Sequence, residues 1–288
     1  MRKLTPTVLA ILLVLAIAPW ACVQPNRTFS GLLAYEHVEQ QCAWGPRVPG
    51  SEASRRTTEH ISTYLRNNGW AVQVQDFDYR GVPLRNIVGK KGRGPLVILG
   101  AHYDTRALAD RDPVDPTVPV VGANDGASGV SVLLELARAL NVGGSKREIW
   151  LAFFDAEDQG GINGWPFVVG AEYMAENLGV EPEAVLVVDM VGDADQGIYF
   201  EGNSDPELLQ VLWSIAERLG YGAFFIPQQR YTILDDHVPF RSRGWSAADI
   251  IDFDYAYWHT AKDTPDKVSV ESLERVGRVV EEWIEQSR

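Results

Sequence analysis

Only two cysteines, Cys22 and Cys42, occur in the 288 residues. That excludes a disulfide-dense scaffold and a thiolate metal centre, which needs more thiolates at set spacing. Basic side chains are also scarce: 26 Lys and Arg stand against 39 Asp and Glu, a formal net charge of −13. This balance excludes a nucleic-acid partner, whose phosphates demand clustered cations. There is no internal repeat, no low-complexity tract and no linker that would mark a second large domain. The remaining composition is that of a globular chain able to bury a sizeable core.

The chain opens on a targeting pattern. Arg2 and Lys3 precede an apolar run over residues 8–18, of signal-peptide length and too short for a comfortable span. Cleavage after Ala21 would expose Cys22 and implies a lipoprotein, although Pro19 and Trp20 suit that processing poorly. An ordinary secretory signal and an uncleaved membrane anchor are the alternatives. All three imply export, to the exterior or to the outer face of the cytoplasmic membrane. If both cysteines survive processing they can pair; if Cys22 is lipidated, Cys42 is a lone thiol. The expected organisation is a signal or anchor over residues 1–21, a linker and first helix over 22–43, and a catalytic domain over 44–288.

Helical spacing, with Gly69 as a stop, predicts a helix over residues 52–68. Further helices are expected over 130–140, 171–178, 206–219 and 269–286. Strands are expected over 71–77, 84–89, 96–99, 149–154, 184–188 and 247–251. Strands alternating with helices predict an α/β fold with a mixed, mostly parallel central sheet flanked by helices. In such folds ligands sit beyond the carboxyl ends of the strands.

The polar residues of this chain gather at those ends. The strand over 149–154 runs straight into Asp155, Glu157 and Asp158, acids that must be exposed, paired or bound to metal. His102, Asp104, Asp125, Asp189, Asp235, Asp236, His237 and His259 occupy similar positions. Two His with several carboxylates and no Cys is the ligand set of a hydrolytic zinc site. Each residue also has an ordinary reading. His102 alone reads as a core histidine, Asp125 before Gly126 as a turn or cap, and His259 as part of an aromatic cluster with Tyr255 and Tyr257. Asp104, two residues from His102, can orient a ligating imidazole.

In order along the chain, these segments resemble metallopeptidase family 28, which holds zinc aminopeptidases and glutaminyl cyclases. The resemblance rests on residues 100–105 (GAHYDT), 122–129 (GANDGASG), 155–158 (DAED), 188–192 (VDMVG), 235–240 (DDHVPF) and 257–260 (YWHT), with GPRVPGS at 45–51. It implies a single phosphorylase/hydrolase-like domain. It implies zinc held by Asp125, Asp158 and His259, a second zinc at His102 and Asp189 in the two-metal enzymes, and Glu157 as general base. It also implies a cis peptide between Asp125 and Gly126. Asp158 departs from the Glu common in the aminopeptidases.

Within the family, Trp258 before His259, Asp235 before Asp236, and Trp165 after the acid pair are similar to the cyclases. The expected function is glutaminyl-peptide cyclotransferase, with one zinc, Asp189 and Asp235 in the proton network, and Trp165 and Trp258 walling the substrate pocket. The alternatives are a two-zinc aminopeptidase and an inactive exported binding protein on the same fold. The expected partner is a peptide or protein N-terminus.

Overall fold

The computed structural model describes Met1, residues 27–142 and residues 146–286. The targeting segment and Cys22 lie outside the described residues. Among the described residues no helix is long and apolar enough to cross a membrane.

The chain begins with α1 (Gly31–Ala43), capped by the Ser30 hydroxyl, and α2 (Glu52–Asn67), capped by Ser51. A hairpin follows, β1 (Ala71–Tyr79) and β2 (Val82–Gly92), then the wholly buried β3 (Leu96–His102). Next come α3 (Ala127–Ala139), β4 (Glu148–Phe154), α4 (Val169–Glu176) and β5 (Ala184–Asp189). The C-terminal part holds β6 (Ile198–Glu201), α5 (Pro206–Arg218), β7 (Phe225–Tyr231), the single turn α6 (Val238–Arg241), β8 (Ala247–Ile251) and α7 (Val270–Gln286). The expected helices and strands are all present, with ends that move by a few residues. The parallel pair β6–β7 was not anticipated, because β7 reads Phe-Ile-Pro-Gln-Gln-Arg-Tyr and is mostly exposed.

The main sheet has the order β1-β2-β4-β3-β5-β8. Its four strands β4, β3, β5 and β8 are parallel, while β1 and β2 form an antiparallel edge. Alternation along β3 divides the core. Val97, Leu99 and Ala101 face the larger cluster with α1, α3 and α7, and Leu96 and Ile98 face the smaller one with Met174 and Ala175 of α4. Gly129 lets α3 approach β5 closely, since a Cβ there would stand 2.1 Å from the Val188 carbonyl oxygen. The parallel register sets His102 beside Phe154 and Asp189 beside Ile251. The carboxyl ends of all four parallel strands therefore open on one edge of the sheet.

Arg47 fastens the N-terminal segment to that edge. It is fully buried, and its guanidinium donates to the carbonyls of Tyr103, Val121 and Gly122 at 2.6–2.9 Å. A charge-assisted donor with every branch met by a carbonyl can be tolerated in a core.

Candidate metal centre and active site

Two buried ligand groups share Asp125. Asp125, Asp158 and His259 form one, and His102, Asp125 and Asp189 the other, with donor atoms in each group within 4.8 Å of one another. All five ligands sit in loops or strand ends on the open edge of the sheet. Their neighbours explain how each is held.

Asp104 is the organiser on one side. Its carboxylate accepts the Glu157 amide at 2.9 Å, the Asp158 amide at 3.3 Å and the Gln159 side-chain amide at 3.0 Å. It also lies 3.4 Å from His102 Nδ1. Asp263 does the same work on the other side. It accepts the amides of Asn124 and Asp125 at 2.8 and 3.1 Å and the Tyr255 hydroxyl at 2.7 Å. Three site loops turn through residues whose φ is positive without being glycine: Ala156 (56°), Met190 (45°) and His259 (57°). Such strain persists only where surrounding bonds over-determine it, and it gathers at functional sites.

The peptide after Asp125 is trans; among the described residues there is no cis bond. The expected cis peptide is thus replaced by a turn at Gly126, whose φ of +95° no larger residue adopts readily.

The donor chemistry fits a zinc ion. Asp125 Oδ2 and Asp158 Oδ2 are buried and have no hydrogen-bond partner. His259 Nε2 stands 3.0 Å from Asp158 Oδ1 and 3.9 Å from Asp125 Oδ2. Burial and the charge of Asp125 raise Asp158 to about 6, with His259 opposing. Unpartnered carboxylates in a dry site are costly unless a cation joins them.

The second group is more self-sufficient. His102 Nε2 lies 3.1 Å from Asp189 Oδ1 and 3.2 Å from Asp125 Oδ1. Burial would lower its pKa, but the charge of Asp189 and hydrogen bonds to Asp104, Asp125 and Asp189 hold it well above the usual range. Burial raises Asp189 to about 7, with His102 opposing. Burial also pushes Glu157 well above the usual carboxylate range; Asp235, Asp236 and Asp158 add to this and His102 opposes it. A carboxyl so raised holds a proton more readily than an ordinary one, as an acid–base group must.

These groups line a cavity of about 200 Å³. Its polar wall is Asp125, Glu157, Asp158, Asp189, Asp235 and His259, and its apolar wall is Phe167, Met190, Ile233, Leu234, Ile251, Phe253 and Trp258. The Trp258 ring packs 4.0 Å from the His259 ring and 4.8 Å from Phe253. The exposed Arg111 stacks on it at 3.9 Å.

Trp165 is elsewhere. It packs against Tyr79 at 5.0 Å and lines a separate cavity with Val48, Pro49, Val82 and Ile162. The loop turns left-handed at Gly161, Asn163 and Gly164, which carries Trp165 back onto the β1–β2 hairpin. Phe167, two residues on, lines the cavity at the ligand groups instead.

Sequence reasoning also missed Arg106, Asp110 and Asp263. Arg106 donates to Asp110 and to the carbonyls of Asp158 and Gly160. The only signal for Arg106 and Asp110 was an acid-rich loop between the His102 and Asp125 segments, and Asp263, far along the chain, had none.

The sequence model of peptidase family M28 matches residues 86–284, more than half of the chain and all of these ligands. The chain belongs to this family. Family members with solved structures resemble it along nearly their whole length. Glutaminyl cyclase from Bacteroides thetaiotaomicron, bound to N-acetylhistamine, superposes with a TM-score of 0.85 at 32% identity, covering 91% of this chain and 99% of that one. A leucine aminopeptidase precursor from the same organism also gives 0.85 at 32% identity, covering 91% and 98%. Aminopeptidase YwaD of Bacillus subtilis is 29% identical over 212 residues, 68% of this chain. The chain spans only 43% of the length of YwaD. Family membership implies zinc.

Proposed function

We propose that this chain is a glutaminyl-peptide cyclotransferase that converts an N-terminal Gln to pyroglutamate with release of ammonia, and that it holds one zinc through Asp125, Asp158 and His259. One observation carries the reading. The unpartnered ligand oxygens, Asp125 Oδ2 and Asp158 Oδ2, belong to that group, whereas Asp125 Oδ1 and Asp189 Oδ1 of the other are engaged by His102. Oxygens already engaged by His102 have less need of a cation than the two that nothing engages.

Bound zinc would act as a Lewis acid on the γ-carbonyl of the substrate Gln. The protein supplies the rest. Glu157 accepts a proton from the attacking α-amine as the new C–N bond forms, and returns it to the amide nitrogen as that C–N bond breaks and ammonia leaves. Asp189 and Asp235 face the same cavity and steady this proton network. Trp258, Phe253 and Phe167 orient the side chain and keep out water, which would otherwise hydrolyse the amide. A cavity of about 200 Å³ at the ligand group can take the side chain of an N-terminal residue.

The second reading is a two-zinc aminopeptidase. The close approach of His102, Asp125 and Asp189 favours it. In that case Glu157 would take a proton from water and the first peptide bond would break.

The deciding experiment supplies a Gln-initiated and a Leu-initiated peptide side by side, with mass detection. Ammonia loss from the first supports the cyclase; release of Leu from the second replaces it with the aminopeptidase. For the chain's location we retain export by its N-terminal segment.

A further inference from the structure

Behind the Asp235 wall lies a second buried polar cluster, of which the reaction above uses Asp235 alone. Asp235, His237 and Asp249 each bring a donor atom within 4.8 Å of the others. His237 and Asp249 are wholly buried, and neither oxygen of Asp249 receives a hydrogen bond from an N–H or a hydroxyl. Glu201 closes the cluster from β6. Its Oε2 lies 2.9 Å from His237 Nε2 and accepts the Ser204 hydroxyl at 2.8 Å. Its Oε1 accepts the Ile233 amide at 2.9 Å. The Ser204 oxygen in turn accepts the Asp249 amide at 3.0 Å. One carboxylate thus ties the cavity-wall loop at Ile233 to the strand that carries Asp249.

Glu201 and Asp249 are driven in opposite directions. Burial would raise Glu201, but the hydrogen bond and charge of His237 take it down to about 2. Burial, then the charges of Asp235 and Asp189, hold Asp249 well above the usual range. His237 Nδ1 is 3.9 Å from Asp249 Oδ2, beyond hydrogen-bond length, so it offers Asp249 no donor. Two carboxyls meeting in a dry interior cannot both be ionised, and one must lend a proton to the other.

We propose that Asp249 is a positioning residue that carries a proton and donates it to the Asp235 carboxylate, while Glu201, pinned by His237, holds the wall on which Asp235 stands. The effect on turnover rests on the cyclase reading; the proton on Asp249 does not.

The test uses the zinc-loaded chain. Asp249→Asn keeps a donor of the same shape, and Asp249→Leu keeps the volume but removes the donor. Infrared difference spectra between wild type and Asp249→Asn should show the loss of one protonated-carboxyl C=O band. Asp249→Asn should keep kcat on the Gln peptide within about threefold of wild type. Asp249→Leu should lower it by about tenfold or more with KM little changed, the scale of one lost buried hydrogen bond. Zinc per chain should be the same in all three. An unchanged infrared spectrum overturns the proposal, as does an Asn variant as impaired as the Leu variant. Loss of a zinc from either variant also overturns it, by making the cluster a metal site. If wild type releases Leu rather than ammonia, the cyclase reading fails alone: the infrared measurement still decides the proton, and kcat is read on the Leu peptide. Should Asp249→Leu fail to fold, the Asn variant still carries the infrared decision.

Discussion

Asp110 Oδ1 lies 3.4 Å from Nδ1 of His259, whose Nε2 faces Asp158 Oδ1 at 3.0 Å. One ring nitrogen is thereby turned to a carboxylate and the other to the ligand group. Arg106 fixes Asp110 in turn and donates to the carbonyl of Asp158. Such outer partners tune metal affinity by roughly 10–100-fold. Asp110→Ala should weaken zinc binding by about that factor in competition with a chelator. Unaltered affinity would assign Asp110 to pairing with Arg106 alone.

Glu157→Gln should keep zinc and thermal stability and lose about 10²–10⁴-fold in kcat, the usual share of a positioned acid–base group. Wild-type turnover by this variant would remove Glu157 from proton transfer.

Exhaustive chelation should abolish activity, and zinc should restore it. One equivalent per chain should suffice if His102 stays bonded to Asp189 and Asp125. A requirement for two equivalents would move the site to the two-metal reading.

The two tryptophans should behave differently. Trp258→Ala opens the apolar wall beside His259 and should raise KM about tenfold, the scale of a lost aromatic contact. Trp165→Ala removes packing against Tyr79 in another cavity and should leave KM within about twofold, at a stability cost of about 1 kcal/mol. Equal effects on KM would place both at the substrate.

Burial holds Asp155, Asp252 and Asp263 at about 7 in the folded chain. The unfolded value is about 3.9. Between these limits the folded chain binds more protons than the unfolded one. Stability is therefore fully present below the window and falls as pH rises through it. Asp158 and Asp189, at about 6 and about 7, act with the same sign without metal. Zinc takes the place of their protons, so its stabilising effect grows with pH. Metal-free protein should melt lower at about pH 8 than at about pH 5 by at least roughly 2–4 °C, the shift about 1 kcal/mol makes at this size. The gain on adding zinc should be larger at the higher pH. A melting temperature that rises with pH in the metal-free chain would contradict this.

Much of the architecture was legible because its signals are local. The apolar run over 149–154 and the stripe of α5 announce a buried strand and an amphipathic helix from their own periodicity. The acids and histidines of the two buried groups were legible as residue types at strand ends. What holds them was not: Asp263 reaches the amides of Asn124 and Asp125 across more than 130 positions, with no local pattern to reveal it. Trp165 was misplaced for a related reason. Its distance from Glu157 along the chain suits the cavity, but three left-handed residues in the intervening loop reverse its direction.

The ligands run from His102, at the end of β3, to His259, beyond the last strand of the sheet. Asp125 and Asp158 come early, yet their imidazole partner is among the last parts of the chain to be synthesised. Until then the Asp125–Asp158–His259 group can offer a passing cation only its two carboxylates, without the imidazole that favours zinc. Selection of zinc belongs to the finished fold.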